Sequence, residues 1–138
     1  MRTNVTDPST LRLPIQRVCV YCASSRKVDA RYFQAADQLG QLLARNGITL
    51  VYGGGGAGLM GALADGALKE GGRVLGILPR FMNDVEWGHR GLTELRLVRD
   101  LHERKRLMIE NVDAVVALPG GTGTLEELFE VITLKRLG

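Results

Sequence analysis

Apolar positions along this chain come in two alternating rhythms: short unbroken runs, and stripes spaced three or four residues apart. Val18 to Ala23, Ile48 to Tyr52, Arg73 to Leu78 and Ala114 to Leu118 are runs of strand length, and Leu95 to Val98 is a shorter candidate. Between them lie helix patterns. Asp29 is placed to cap a helix whose stripe is Phe33, Ala36, Leu39, Leu42 and Leu43, and Asn46-Gly47 stops it. A second helix opens at Gly53-Gly54-Gly55-Gly56-Ala57-Gly58, carries Leu59, Met60, Leu63, Ala67 and Leu68, and closes at Gly71-Gly72. Pro79 ends the third strand, and Arg80 to Gly91 is polar and irregular, long enough for a functional loop. Asp100 with Glu103 resembles a capping-box start for a helix reaching about Asn111, and the last helix runs from Thr124 to Leu137.

Strands alternating with helices over short connections predict an α/β fold: a Rossmann-like parallel sheet with helices on both faces and ligands beyond the carboxyl ends of the strands. The unbroken run Ala114 to Leu118 predicts a strand buried on both faces. Residues 1–14 are polar without a period and are expected to be a flexible extension. Residues 15–138 are expected to form a single α/β domain, and a chain of 138 residues can bury a core without staples.

Composition changes this picture in one respect. The chain has 18 glycines, nearly twice the usual share of roughly 7%. They gather at βα junctions, which suggests tight turns and close approach to a ligand. A net charge of +3 is too small and too evenly spread to argue for a nucleic-acid partner, so small phosphorylated metabolites are expected instead. No apolar run approaches the ~20 residues of a membrane span, and the start lacks the apolar core of a signal peptide, so no membrane partner and a cytoplasmic location are expected. Cys19 and Cys22 form a C-x-x-C inside an apolar run, where buried, inert thiols are expected. His89 and His102 lack metal-ligand spacing with each other or with the cysteines, so no metal is expected; no cofactor is expected either.

Two glycine clusters compete as sites. The first matches G-x-G-x-x-G as Gly53/Gly55/Gly58 and as Gly56/Gly58/Gly61, yet a dinucleotide fingerprint belongs after the first strand, with a ribose-binding carboxylate about 20 residues on. Here the first turn is Ala23-Ser24-Ser25, and the following strand ends in Leu78-Pro79-Arg80. Close helix packing and ligand contact both fit these glycines. The second cluster, Pro119-Gly120-Gly121-Thr122-Gly123-Thr124-Leu125-Glu126-Glu127, joins a strand to a helix and is a natural phosphate seat, because backbone N–H groups and the positive dipole end converge there. No Gly-Lys-Ser/Thr closes it, which excludes a Walker loop. Thr124 and Glu127 have capping-box spacing, so Glu127 reads either as a cap or as a functional carboxylate beside a bound phosphate. Arg104, Lys105 and Arg106 precede this turn, and Arg104 shares a helix face with Met108; they are either a solvated face or cations aimed at the site.

The turn Pro119 to Glu127 resembles the P-G-G-x-G-T-x-x-E signature of the LONELY GUY phosphoribohydrolases, and the resemblance extends to Tyr52-Gly53-Gly54-Gly55-Gly56, Gly58-Leu59-Met60-Gly61 and His102-Glu103-Arg104-Lys105. Members of that family have been widely labelled lysine decarboxylases, although no pyridoxal-type lysine motif is visible here. The resemblance implies hydrolysis of the N-glycosidic bond of a cytokinin riboside 5′-monophosphate, or of AMP, to free base and ribose 5-phosphate. It implies Arg104 and Glu127 as the catalytic pair. Substrate contacts are implied from Glu86, Lys105, Gly121, Thr122, Gly123, Thr124, Leu125, Glu126 and Thr133, with further contacts from Ser24, Gly54, Gly55 and Met108. A homodimer is also implied. A noncatalytic nucleotide-binding protein, like the molybdenum-cofactor carriers of similar fold, or an inactive truncated homologue, is the alternative. Two departures stand out: the family's early C-G-S-S-x-G turn reads Cys22-Ala23-Ser24-Ser25-Arg26-Lys27, and relatives continue past Gly138 into at least one more strand and helix.

Overall fold

The computed structural model describes residues 14–85 and 87–138. The extension expected for residues 1–14 lies, apart from Pro14, outside the described residues, as does Glu86. Five parallel strands, β1 (Arg17–Tyr21), β2 (Thr49–Tyr52), β3 (Val74–Pro79), β4 (Glu94–Val98) and β5 (Ala114–Ala117), form one sheet in the order β4-β3-β2-β1-β5. Five helices connect and follow them: α1 (Ala30–Arg45), α2 (Gly58–Lys69), the short α3 (Arg80–Asn83), α4 (Leu101–Ile109) and α5 (Thr122–Leu137).

Local chemistry accounts for most of these boundaries. Asp29 Oδ1 accepts the Arg31 N–H at 2.9 Å and starts α1, which ends where Gly47 takes the left-handed conformation at φ 68°. Asp100 Oδ1 accepts the Glu103 N–H at 2.8 Å and starts α4. Glu103 reaches back not to Asp100 but one residue further, to the Arg99 N–H at 2.9 Å. The irregular stretch after Pro79 contains α3, a helix of 4 residues that sequence periodicity cannot register.

Alternation along the strands divides the core into two layers. Val18, Val20, Leu50, Tyr52 and Val74 pack against Ala36 and Leu43 of α1 and Leu59 and Leu63 of α2. Cys19, Tyr21, Val51, Leu75 and Ile77 face the other way, against Met108 of α4, with Val131 of α5 at the margin. Cys19 and Cys22 therefore belong to different layers, and burial pushes each thiol up to about 12, as inert core thiols require.

Three expectations are corrected. Leu42 lies outside the α1 stripe and is exposed, because Ala36, Gly40 and Leu43 occupy the buried face. β5 is not buried on both faces. It pairs only with β1, stands at the sheet edge and is half-buried, with Ala117 exposed. An apolar run marks what a strand can bury, not whether a neighbour covers it. Finally, α5 begins at Thr122 rather than Thr124, with Gly121 at the N-cap and no side-chain cap. Among the described residues, no helix is long and apolar enough to cross a membrane.

Candidate active site

The pairing of β2 with β3 stops at Tyr52 and Gly76, and the next carbonyl of each chain segment, Gly53 and Ile77, is gathered by one side chain. Arg104, on α4 and only 9% exposed, donates from Nε to the Ile77 carbonyl at 3.0 Å and from Nη2 to the Gly53 carbonyl. A guanidinium suits this place because its rigid fork serves two fixed acceptors at once and still carries a full charge. Burial lowers the pKa of Arg104, while Glu127 and Tyr52 oppose that shift. Gly53 makes the arrangement possible, since a Cβ there would overlap Arg104 Nη2 and crowd Met60. We expect Gly53→Ala to lower the unfolding free energy by about 1–3 kcal/mol through overpacking. Urea denaturation measures this, and an unchanged midpoint would mean the guanidinium has room to swing aside.

Glu127 lies in the second turn of α5 and is half-buried. Burial raises its carboxyl to about 7, Arg104 and Lys105 pull it down, and Glu126 and Glu130 push it up. Its charge is also felt by Cys19, Tyr21 and Cys22, which sets it over the carboxyl end of β1. The capping-box reading of Glu127 does not hold, because the helix starts two residues earlier than the spacing suggests and its first turn contains no acidic residue. Thr124 is instead buried against Gly120, where any Cβ would overlap its hydroxyl. Gly121, Thr122 and Gly123 are exposed at the start of α5, where the first N–H groups have no intrahelical acceptor.

At Arg104 opens a cavity of about 650 Å³ whose walls include Ser24, Gly55, Met60, Trp87 and His89, whereas Glu127 and the turn Gly121 to Thr124 are not among its walls. The first glycine cluster divides between the cavity and packing. Gly55 and Gly56 line the cavity, whereas Gly58 and Gly61 let α2 pack onto the Ser24 and Gly56 backbones. Gly54 takes φ 81° behind the wall, and its carbonyl accepts the His89 N–H at 2.9 Å.

Other expected contacts are placed elsewhere. Met108 is a core residue under β3 rather than a cavity residue. Lys105 is engaged by two carboxylates of α5, Glu126 at 2.5 Å and Glu130 at 2.8 Å, which raise its pKa. Thr133 donates its hydroxyl to the Phe129 carbonyl at 2.9 Å and lines a separate, shallow groove of about 440 Å³ with Glu126, Phe129, Glu130 and Leu134. Leu125 is exposed on the same helix. Sequence reasoning missed Met60, Met82, Trp87 and His89 as cavity residues. Two signals were available: the length of the irregular stretch Arg80 to Gly91, and Trp87 within it, the only tryptophan of the chain.

Residues 60–138 match the family model described as possible lysine decarboxylase. Over 122 residues, 88% of this chain, the sequence is 48% identical to the cytokinin riboside 5′-monophosphate phosphoribohydrolase of Rhodococcoides fascians, and the match spans 62% of that protein. The same identity over the same length is found with a probable cytokinin riboside 5′-monophosphate phosphoribohydrolase of Oryza sativa subsp. japonica, of which 55% is covered. The chain thus spans little more than half the length of these relatives. Among solved structures, the molybdenum cofactor binding protein of Rippkaea orientalis superposes with a TM-score of 0.76 at 25% identity, over 90% of this chain and 74% of that one.

Proposed function

The chain belongs to the possible lysine decarboxylase family, the group that includes the LONELY GUY phosphoribohydrolases, and from that premise we propose that it hydrolyses the N-glycosidic bond of a nucleoside 5′-monophosphate. The substrates are cytokinin riboside 5′-monophosphates or AMP, and the products are free base and ribose 5-phosphate. One observation carries this reading. A half-buried carboxyl raised to about 7 stands within the field of a buried guanidinium that also lines a cavity of about 650 Å³ at the carboxyl end of the sheet.

The chemistry follows from that pairing. Glycosidic cleavage develops positive charge on the ribose, which an ionised Glu127 stabilises, and the same carboxylate takes a proton from the attacking water. Water oxygen bonds to C1′ as the bond from C1′ to the base nitrogen breaks, and the proton passes on to the departing base. Arg104 opposes the effect of burial on Glu127, which titrates at about 7, so that its ionised form is reached near neutral pH. The 5′-phosphate is bound by the N-terminus of α5, where Gly121 to Gly123 are exposed, remote from the breaking bond, and its binding energy positions the sugar.

The reading includes a homodimer. α5 presents Leu125, Phe129 (61% exposed) and Ile132 to solvent at spacings of four and three residues, one apolar face suited to a second copy of the same helix; light scattering measures this directly. The activity itself is tested by incubating folded protein with AMP and with isopentenyladenosine monophosphate and assaying free base. Release of base is expected. Binding without release would sink the enzymatic reading in favour of a noncatalytic nucleotide-binding protein.

A further inference from the structure

The segment Trp87 to Gly91 lines the cavity along its whole length, yet it belongs to no strand or helix. Two backbone bonds attach it to the glycine turn: the Gly56 N–H to the Trp87 carbonyl at 3.0 Å, and the His89 N–H to the Gly54 carbonyl at 2.9 Å, flanking an antiparallel bridge between Gly55 and Gly88. The glycine turn is itself irregular, so these bonds join two segments that neither the sheet nor a helix holds.

His89 adds a third attachment, to a rigid element. Its Nδ1 accepts the Gly91 N–H at 2.9 Å, which leaves the ring proton on Nε2. Nε2 then donates to Asp65 Oδ1 on α2 at 2.6 Å. The ring is 13% exposed and the carboxylate 68% exposed, so the imidazole is wedged between its own loop and the helix while Asp65 remains hydrated. One ring therefore fixes the local turn through Gly91 and ties it to a helix 24 residues away in sequence. Arg90 is the neighbouring charge on the same segment.

We infer that His89 and Asp65 are a positioning pair that holds the Trp87 to Gly91 wall against the glycine turn and thereby sets how tightly the cavity grips its ligand. That the ligand is a nucleoside 5′-monophosphate rests on the function proposed above; the clamp rests on the geometry alone.

Amide hydrogen exchange of the ligand-free protein tests the clamp without any activity. In Asp65→Ala, exchange at Gly56 and His89 is expected to quicken at least about tenfold, equivalent to about 1.4 kcal/mol of local opening, with Val51 and Leu75 in the sheet unchanged. Asp65→Asn keeps an acceptor for Nε2–H and is expected to fall between wild type and alanine. In the same variants, the dissociation constant and KM for AMP are expected to rise about tenfold with kcat changed less than about threefold, the signature of lost uniform binding. Unchanged exchange at Gly56 and His89, or equal acceleration at every amide, overturns the clamp. Quickened exchange with wild-type AMP affinity overturns its control of the cavity. If wild-type protein neither binds nor cleaves AMP, the nucleotide reading fails, and the exchange rates alone decide the clamp.

Discussion

Glu127→Gln is expected to remove at least 99% of turnover and, at the same time, to make the fold more stable at pH 8, with the activity loss about 10²-fold or more, as for other carboxylates acting directly on a reacting centre. The stability gain follows from linkage. Burial holds the Glu127 carboxyl at about 7 in the folded protein, against 4.5 for the free side chain. A raised folded value means that the folded state binds the proton more tightly than the unfolded chain does. The associated stability is complete below 4.5 and is lost as pH rises through about 7. At pH 8 the ionised carboxylate is thus a net cost, on the order of 2 kcal/mol after allowance for its partial exposure. Glutamine keeps the shape and abolishes the charge, so its advantage should be near zero at pH 4 and fully developed at pH 8. Denaturant unfolding at the two pH values measures it, and base release measures the activity. A variant that loses stability at both pH values would restore the capping reading. Wild-type kcat/KM should rise through about pH 7, because the ionised form of Glu127 is the active one.

Arg104→Met is the second large effect. The replacement fills similar space but withdraws the charge that does most to keep Glu127 ionised. Glu127 should then titrate above its wild-type value of about 7, since burial remains and the opposing cation is gone. Carboxyl carbon NMR reports that midpoint residue by residue. At pH 7 the fraction of active carboxylate falls, the cavity loses its buried cation, and kcat/KM is expected to drop about 10²- to 10³-fold. Arg104→Lys should recover part of the charge effect without the fork to the Ile77 and Gly53 carbonyls. A Glu127 midpoint that does not move in Arg104→Met would show that the two side chains are not coupled, and the catalytic pairing would fall with it.

The stability effect of Glu127 and the proposed chemistry are linked by one physical fact. The carboxylate is unstable where it stands because water has been taken from it, and the same lack of water makes it an effective partner for positive charge developing on a sugar. Arg104 limits that cost without removing it.

Element type was legible in the sequence because it is encoded locally. Runs and stripes of apolar residues, the caps at Asp29 and Asp100, and the stop at Gly47 lie within a few residues of the structure they specify. The parallel α/β order, and the placing of both glycine clusters at carboxyl ends, followed from that alternation. Part of the candidate site was legible for the same reason: a glycine-rich turn between strand and helix marks where Gly121 to Gly123 are exposed, although the helix starts two residues before the expected Thr124.

What remained depends on residues far apart in the chain meeting in space. The sequence could not say that β5 would end the sheet, because an apolar run reports capacity for burial and not the neighbour that provides it. Arg104, Lys105 and Arg106 are one charged run, yet packing buries Arg104 on the Ile77 and Gly53 carbonyls, turns Lys105 to the α5 carboxylates and leaves Arg106 exposed. His89 looked like a lone histidine until folding brought Asp65 to its ring. Periodicity, with the caps and stops, thus determined the elements other than α3 and their order. Tertiary packing decided which charges lose water, and so which of several similar side chains can do chemistry, because desolvation is a property of the surroundings and not of the residue.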